Sequence, residues 1–259
     1  MSVFCRWVTT PEGYRVYMCE YKHKKTLTLG ERNRKIGEIL NFSIPPDTVI
    51  FTTGRVIRTC PGATHWCRTF CYAKKNRMEM PNVMSAYASN LVWYLELGPD
   101  KFAEKLERAL RKLEATGKYE KILRVHVAGD FFEKDYIEMW RHIAERMPDW
   151  RFYTYTRSWR VPELLPHLEK LRRLPNFIVY ASTDPDTGPP PPGWLEASCV
   201  HLDYKPGFRP YTKTIRCPGE MAEEVAGRPI PCQVCRICIL GRASVHWETI
   251  LGVTKRKKL

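Results

Sequence analysis

The chain of 259 residues lacks a long apolar run. No stretch approaches the roughly 18–20 consecutive apolar residues that a membrane-spanning helix needs, so contact with a membrane is not expected. The N-terminal residues mix charged and apolar side chains without the uninterrupted apolar region of a secretory signal, which predicts a cytoplasmic protein. Repeats of fixed period are also lacking, and low-complexity sequence is limited to the prolines at 189–192. These absences leave a globular protein.

Acidic residues are few relative to basic ones. The chain has 42 Lys and Arg against 28 Asp and Glu, which gives a formal net charge of +14. A field of this sign favours a polyanionic partner, with nucleic acid first, although DNA and RNA are not distinguished. The ion-pair networks of a thermophilic surface would give a similar composition, and this explanation stays open.

Cysteine, in contrast, is abundant, with ten residues. Because the cytosol keeps most thiols reduced, a chain without an export signal is expected to use them for metal or redox chemistry rather than for disulfides. Seven of the ten fall into two tight groups. The first group is Cys60, Cys67 and Cys71, and the second is Cys217, Cys232, Cys235 and Cys238. The other three stand alone and are expected to be ordinary buried thiols, namely Cys5, Cys19 and Cys199.

The first group lies in a loop that contains proline and glycine, so its thiolates can converge on one ion or cluster. Structural zinc would need a fourth ligand, which His65 could supply, but a lone histidine in such a loop is more often solvated. A [4Fe–4S] cluster held by three cysteines would leave one iron open. The second group has the spacing C-x2-C-x2-C after a distant Cys-Pro, which is close to a ferredoxin pattern. It favours a second cluster, and zinc remains possible there.

Strands and helices alternate from residue 48 onward, which predicts βαβ units and a parallel sheet of the α/β class. Strands are predicted at 49–54, 121–130, 151–158, 177–183 and 199–204, and helices at about 82–97, 100–116, 133–147 and 162–174. We divide the chain into an N-terminal extension at 1–47, a main domain at 48–206 and a cysteine-rich, metal-binding tail at 207–259.

Four successive predicted strands finish in polar groups. These are His126–Asp130, Thr156–Ser158, Ser182–Asp184 and His201–Asp203. Ligands of parallel α/β proteins bind at the carboxyl ends of the strands, so four such ends in succession predict the rim of a site. Alternation along the first of these strands predicts that Leu123, Val125 and Val127 face the helices, whereas Arg124 and His126 face the interior.

Four segments together carry a resemblance to a known family: CPGATHWCRTFCYA, RVHVAGDFFEKDYIEMW, FYTYTRSW and CQVCRIC. They resemble the phage-associated gene product 88 family over about residues 50–240. More distantly, the arrangement is similar to radical S-adenosylmethionine enzymes. That similarity implies a partial (β/α) barrel whose first strand leads into a three-cysteine loop with a [4Fe–4S] cluster, and a C-terminal segment that holds a second cluster. Phe70, directly before Cys71, matches the aromatic residue that precedes the last cysteine in that superfamily.

The more distant resemblance also implies roles for individual residues. Gly129 and Asp130 would bind S-adenosylmethionine, and Arg157, Asp184 and Asp203 would line the substrate side of a site that acts on a nucleic acid or nucleotide. An alternative stays open, in which the chain is a nucleic-acid-binding protein without catalysis, stabilised by structural zinc or iron–sulfur sites. Its aromatic residues would then stack on bases rather than pack in the core. The candidates for stacking are Trp66, Tyr153, Tyr155 and Trp159, although packing within a strand is the simpler role for the two tyrosines.

Overall fold

The computed structural model describes residues 3–31, 35–201 and 207–249. The strands are β1 (Cys5–Thr9), β2 (Arg15–Cys19), β3 (Leu40–Phe42), β4 (Thr48–Phe51), β5 (Val56–Arg58), β6 (Ile122–Val125), β7 (Arg151–Thr156), β8 (Phe177–Thr183), β9 (Leu195–His201), β10 (Ile215–Arg216) and β11 (Val245–Thr249). The α-helices are α1 (His65–Phe70), α2 (Pro81–Glu114), α3 (Lys134–Arg146), α4 (Leu165–Arg172), α5 (Pro218–Ala226) and α6 (Cys232–Cys235). Within these ranges no helix is both long and apolar enough to cross a membrane.

The main sheet has seven strands in the order β3-β6-β7-β8-β9-β11-β10. Every pairing described in it is parallel, which confirms the prediction of an α/β protein with a parallel sheet. The described pairing establishes an open parallel sheet and does not establish a barrel. The edge strand β3 comes from the range predicted as an N-terminal extension, and β10 and β11 come from the range predicted as the tail.

A second sheet of four strands has the order β1-β2-β4-β5. The stretch at 49–54, predicted as the first strand of the parallel sheet, contributes β4 to this small sheet instead, so that prediction is wrong. The reason is the turn after β4, where the Gly54 amide donates to the Phe51 carbonyl at 2.9 Å and Gly54 has a φ of +85°. So tight a turn returns the chain antiparallel as β5, whereas parallel neighbours need a long crossover.

The hairpin of β1 and β2 contains a disulfide between Cys5 and Cys19. The expectation that both are ordinary thiols is therefore wrong. The two residues are directly opposite in the antiparallel register, with their Cα atoms 4.2 Å apart. Non-hydrogen-bonded pairs in antiparallel strands come this close, and the spacing of the two cysteines along the sequence does not reveal the register.

The helical layer of the protein packs on one face of the main sheet. Leu123 and Val125 of β6 lie in the core against α2, α3 and α4, as their alternation predicts. The predicted apolar face of α3 is also buried, and it consists of Tyr136, Met139, Trp140 and Ile143. Helix α2 covers both predicted helices at 82–97 and 100–116 and has non-helical backbone angles at Gly98, just before Pro99.

The opposite face of the sheet is covered by the cysteine-rich segment. Tyr153, Tyr155 and Ile178 from β7 and β8 pack against Ile239 and against Cys232 and Cys238 of the second cysteine group. Arg124 of β6 lies on this face, with its guanidinium 5.1 Å from the centre of the Tyr155 ring, as alternation predicts.

His126 departs from that alternation. It was predicted to face the interior beside Arg124, but its ring packs among the aromatic side chains of the helical core, stacked on Tyr136 and edge-on to Phe131. The cause is a left-handed backbone conformation at His126, with a φ of +66°, directly after the last paired residue of β6. The period of two applies only while the backbone stays extended.

Candidate functional site

Three of the predicted site residues meet at the carboxyl ends of β6, β7 and β8. The Arg157 guanidinium donates from Nε to Asp184 Oδ2 at 2.8 Å, and the Arg157 backbone amide donates to Asp130 Oδ2 at 2.9 Å. Asp184 is fully buried and Asp130 nearly so. Three of the four strand ends predicted to form a polar rim therefore belong to one hydrogen-bonded group. Asp203, the third residue predicted for the substrate side, lies outside the described residues.

Asp130 sits in a cage of donors. Its Oδ1 accepts from Thr156 Oγ1 at 2.6 Å and from the Phe131 amide at 2.8 Å. Burial raises the pKa of the carboxyl, and the hydrogen bonds from Thr156, Arg157 and Phe131 oppose that rise without cancelling it. Oδ2 accepts only the Arg157 amide among the described residues, so it retains a lone pair for a further donor.

Gly129 has a φ of +81°, a conformation that favours glycine. A Cβ atom here would come within 2.3 Å of Ile44 Cγ1 and 2.9 Å of the Ile44 carbonyl oxygen. The residue is thus required for close packing of the rim against the segment that follows β3. Its predicted contact with S-adenosylmethionine stays a prediction.

The first cysteine loop lies directly on this rim. Thr64 caps α1 by accepting from the Cys67 amide at 2.9 Å, and its own hydroxyl donates to Asp184 Oδ2 at 2.8 Å. Gly62 packs so closely that a Cβ atom would be 2.1 Å from the Arg157 carbonyl oxygen. Arg160 adds a bond from Nη1 to the Gly62 carbonyl at 2.8 Å. The loop and the strand ends therefore form one site.

The three thiols of the loop influence one another and the rim. Burial raises the pKa of Cys60 well above its usual value, and the negative charges of Asp130, Cys67 and Cys71 add to the rise. Burial raises the pKa of Cys67 to about 12 against the opposing charge of Arg157. Burial also raises the pKa of Cys71, with Lys74 opposing. The shared effect of burial is that the pKa of each of the three thiols is raised.

His65 has a different surrounding from the thiols. It is exposed and its Nδ1 forms a hydrogen bond with the Tyr14 hydroxyl at 2.7 Å. This position agrees with a histidine in contact with solvent, which was the preferred expectation.

Two residues of the site escaped the sequence reasoning. Asp47 is buried at the base of the loop, where it binds Lys74 Nζ at 2.6 Å and Arg68 Nε at 3.0 Å, and its amide donates to Cys60 Sγ at 3.2 Å. Cys199, taken as an isolated thiol, lies on β9 near Arg157. Burial raises its pKa to about 11, and the charge of Arg157 opposes the rise. Neither residue belongs to a sequence motif, so only the tertiary contacts reveal that they lie at the site.

The second cysteine group also comes together. Burial raises the pKa of Cys238 to about 12, the Tyr155 hydroxyl opposes the rise by donating to the sulfur, and the other three cysteines of the group add to it. Helix α6 is anchored by a bond from the Cys232 amide to the Lys35 carbonyl at 3.0 Å. Gln233 Oε1 accepts from the Glu38 amide at 3.1 Å.

Metal binding at the two cysteine groups stays a prediction. Within residues 3–31, 35–201 and 207–249, no three or more His, Cys, Asp and Glu side chains form a group that could hold a metal ion as they stand. The chemistry of the donors nonetheless fits a soft, sulfur-ligated centre, because both groups offer thiols and His65, which lies within the first group, bonds the Tyr14 hydroxyl instead.

Comparison with known proteins gives consistent relatives. The Gene product 88 family matches residues 18–193. The Gene 88 protein of Mycobacterium phage L5 is 28% identical over 205 residues, which cover 74% of this chain and 82% of the phage protein. The Gene 88 protein of Mycobacterium phage D29 is 29% identical over 206 residues with the same coverage. No solved structure matches the chain. Since the family match spans more than half of the chain, including the three-cysteine loop and the rim, this protein belongs to the Gene product 88 family.

Proposed function

We propose that this protein is an iron–sulfur enzyme of the radical S-adenosylmethionine type that acts on a nucleic acid or nucleotide. One observation carries the proposal: a loop with three thiols lies on the carboxyl ends of a parallel sheet, where Asp184 accepts hydrogen bonds from both the loop and Arg157. Ligands of parallel α/β proteins bind at this edge. The strands β3, β6, β7, β8 and β9 also cross the sheet in chain order, as in a partial (β/α) barrel.

In this proposal Cys60, Cys67 and Cys71 hold a [4Fe–4S] cluster, and the second cysteine group holds another cluster or zinc. Thiolates are the ligands that such clusters take from proteins. A bound cluster together with S-adenosylmethionine would supply one-electron chemistry. The protein's own contribution is a set of polar groups at the strand ends that hydrogen bonds already hold in a fixed orientation.

The rim residues have separate roles in binding the cosubstrate and the substrate. Asp130 Oδ2 can accept a hydrogen bond from the amine of S-adenosylmethionine, and Gly129 keeps the adjacent backbone close to the segment after β3. Arg157 is oriented through Nε by Asp184, and its Nη groups have no hydrogen-bond partner among the described residues. A guanidinium held in this way suits the phosphate of a nucleotide, which can take two parallel bonds from it. Asp184 is the positioning residue for Arg157.

The alternative, a nucleic-acid-binding protein without catalysis, receives less support from the side chains proposed for base stacking. Trp66, Tyr153 and Trp159 are only 4%, 1% and 9% exposed. Side chains as buried as these serve packing, because a base needs an open aromatic face. The alternative would need other surface residues for its binding.

The test is an anaerobic purification with iron, sulfide and zinc analysis, followed by paramagnetic resonance of the reduced protein. We expect iron and sulfide, and a spectrum that changes when S-adenosylmethionine is added. Cys67→Ala should abolish this change. Cys199→Ala is the matched control, because it removes a thiol near Arg157 that is not in the loop, and it should keep the iron content of the wild type.

Asp130→Asn separates cosubstrate binding from metal binding. We expect it to weaken the spectral response to S-adenosylmethionine while the iron content stays unchanged, since the carboxylate accepts hydrogen bonds and does not ligate metal in this proposal. Zinc in the loop would favour the structural alternative. A cluster whose spectrum ignores S-adenosylmethionine would overturn the enzyme proposal.

A further inference from the structure

A buried carboxylate beside the site has no role in the chemistry proposed above. Glu196 of β9 is fully buried. Its Oε1 accepts from Thr183 Oγ1 at 2.6 Å and from the Tyr211 amide at 3.1 Å. Its Oε2 accepts from the Thr212 amide and the Thr212 hydroxyl, both at 2.7 Å. Four donors fill the four lone-pair positions of a carboxylate, and three of them come from a single stretch of chain.

That stretch, residues 207–213, is named here the aromatic-basic segment. Glu196 fixes its backbone at Tyr211 and Thr212, and the Tyr211 hydroxyl donates to the Asp184 carbonyl at 3.4 Å. Phe208 packs edge-on against Tyr211 with ring centres 5.4 Å apart. Asp184 belongs to the polar rim, where its carboxylate bonds Arg157. The segment therefore contacts the rim directly through Tyr211.

The segment presents groups that the fold does not use. Tyr211 is 37% exposed although its backbone is firmly held. Arg209 and Lys213 are exposed, and no carboxylate in the described part of the chain pairs with either. An aromatic face flanked by two exposed cations is the combination that binds single-stranded nucleic acid, in which bases stack on rings and cations neutralise phosphates.

We propose that the aromatic-basic segment is the nucleic-acid contact of this site and that it selects single-stranded substrate. Tyr211 stacks on a base next to the reacting nucleotide, Arg209 and Lys213 contact phosphates, and Glu196 is the positioning residue. A single strand is required because a base can stack on the exposed Tyr211 ring only when its own face is not covered by the neighbouring bases of a duplex. The inference rests on the nucleic-acid partner of the proposed function and is independent of the cluster.

The experiment measures anisotropy of labelled single-stranded DNA and RNA oligonucleotides, and of a duplex, with the full chain at several salt concentrations. Tyr211→Ala should weaken single-strand binding by about 10-fold. Tyr211→Phe should bind as the wild type, because the ring is kept. Arg209→Ala should lower the slope of log affinity against log salt by about 1. The matched controls are Phe4→Ala, whose ring is 63% exposed, and Arg6→Ala on β1, and both should bind as the wild type.

Glu196→Gln tests the positioning role. An amide NH₂ in place of one carboxylate oxygen would face the backbone donors of Tyr211 or Thr212, so the segment should detach from β9. We expect a loss of affinity equal to that of Tyr211→Ala, and no further loss in the double variant, although Glu196 itself cannot touch a ligand. If circular dichroism shows that Glu196→Gln does not fold, the affinities of the Tyr211 and Arg209 variants test the nucleic-acid contact on their own.

Wild-type affinity in Tyr211→Ala and Arg209→Ala would overturn the inference, as would duplex binding as tight as single-strand binding. Failure of the enzyme proposal gives a different result. In that case the spectrum would ignore S-adenosylmethionine while the oligonucleotide affinities still followed the segment variants.

Discussion

His126 should make the stability of this protein depend on pH in a way that a single substitution removes. The side chain is 3% exposed, its Nε2 bonds the Tyr136 hydroxyl at 2.9 Å, and its buried Nδ1 has no partner among the described residues. Burial lowers the pKa of His126 from 6.5 to about 3. The folded protein therefore holds this histidine neutral at pH values where a histidine in the unfolded chain is already protonated.

The sign and size of the effect follow from this shift. Because the folded pKa of His126 lies below the unfolded value, the unfolded chain binds the proton first as the pH falls. The contribution to the free energy of unfolding is complete above about pH 6.5 and is lost on acidification towards pH 3. One pKa unit corresponds to about 1.4 kcal/mol, so a change from pH 7 to pH 5 should cost about 2 kcal/mol.

The assay is urea unfolding at pH 7 and pH 5 at equal ionic strength, followed by tryptophan fluorescence, for which the buried Trp140 and Trp150 are natural probes. His126→Asn removes the titration and suits the left-handed backbone at this position. It will lower stability at both pH values because ring packing is lost. The informative quantity is the difference between the two pH values, which should be about 2 kcal/mol smaller in His126→Asn than in the wild type.

Other titratable groups, among them Asp130, whose pKa is raised by burial, are present in both proteins and cancel in the comparison. His142→Asn, a change in a partly exposed histidine of α3, controls for the loss of a histidine in general. An equal pH effect in the wild type and His126→Asn would refute the assignment of a buried neutral imidazole.

Two further predictions concern the cysteine groups. Gly62→Ala should lower the free energy of unfolding by about 1–3 kcal/mol in urea titrations, because the new Cβ would meet the Arg157 carbonyl at 2.1 Å; wild-type stability would show that the loop does not rest on the rim. Cys235→Ala should increase tryptic cleavage between residues 207 and 242 while the rest of the chain resists, since metal-binding free energy in a segment with little core of its own is folding free energy. An unchanged digestion pattern would speak against a structural metal there.

Much of the sheet could be predicted because its strands have a local signature. The strands at β6, β7 and β8 are apolar runs that end in polar residues and are separated by helices, and the parallel arrangement follows from those spacings. β3 escaped because three residues, Leu40–Phe42, are too few to show a period. The strand at 49–54 was recognised as a strand but placed in the wrong sheet, because sequence does not state a strand's partner.

The residues of the site also fall into those that the sequence predicts and those that it does not. Asp130, Arg157 and Asp184 could be predicted because each follows a strand, and parallel strands bring their carboxyl ends to one edge. Asp47 and Glu196 could not, since what distinguishes them is the set of donors that tertiary structure places around each carboxylate. A buried acid and a surface acid have the same letter in the sequence.

The strand order has a consequence for how the protein is made. β11 lies between β9 and β10, although β10 precedes it along the chain. During synthesis β10 therefore has no strand partner until β11 has left the ribosome and inserted beside β9. Cys217 follows β10 directly, and its amide bonds the His246 carbonyl of β11, so the second cysteine group cannot assemble before that insertion. The second cysteine group is therefore complete only once the chain up to β11 is in place, so whatever it binds is held by the last part of the described chain.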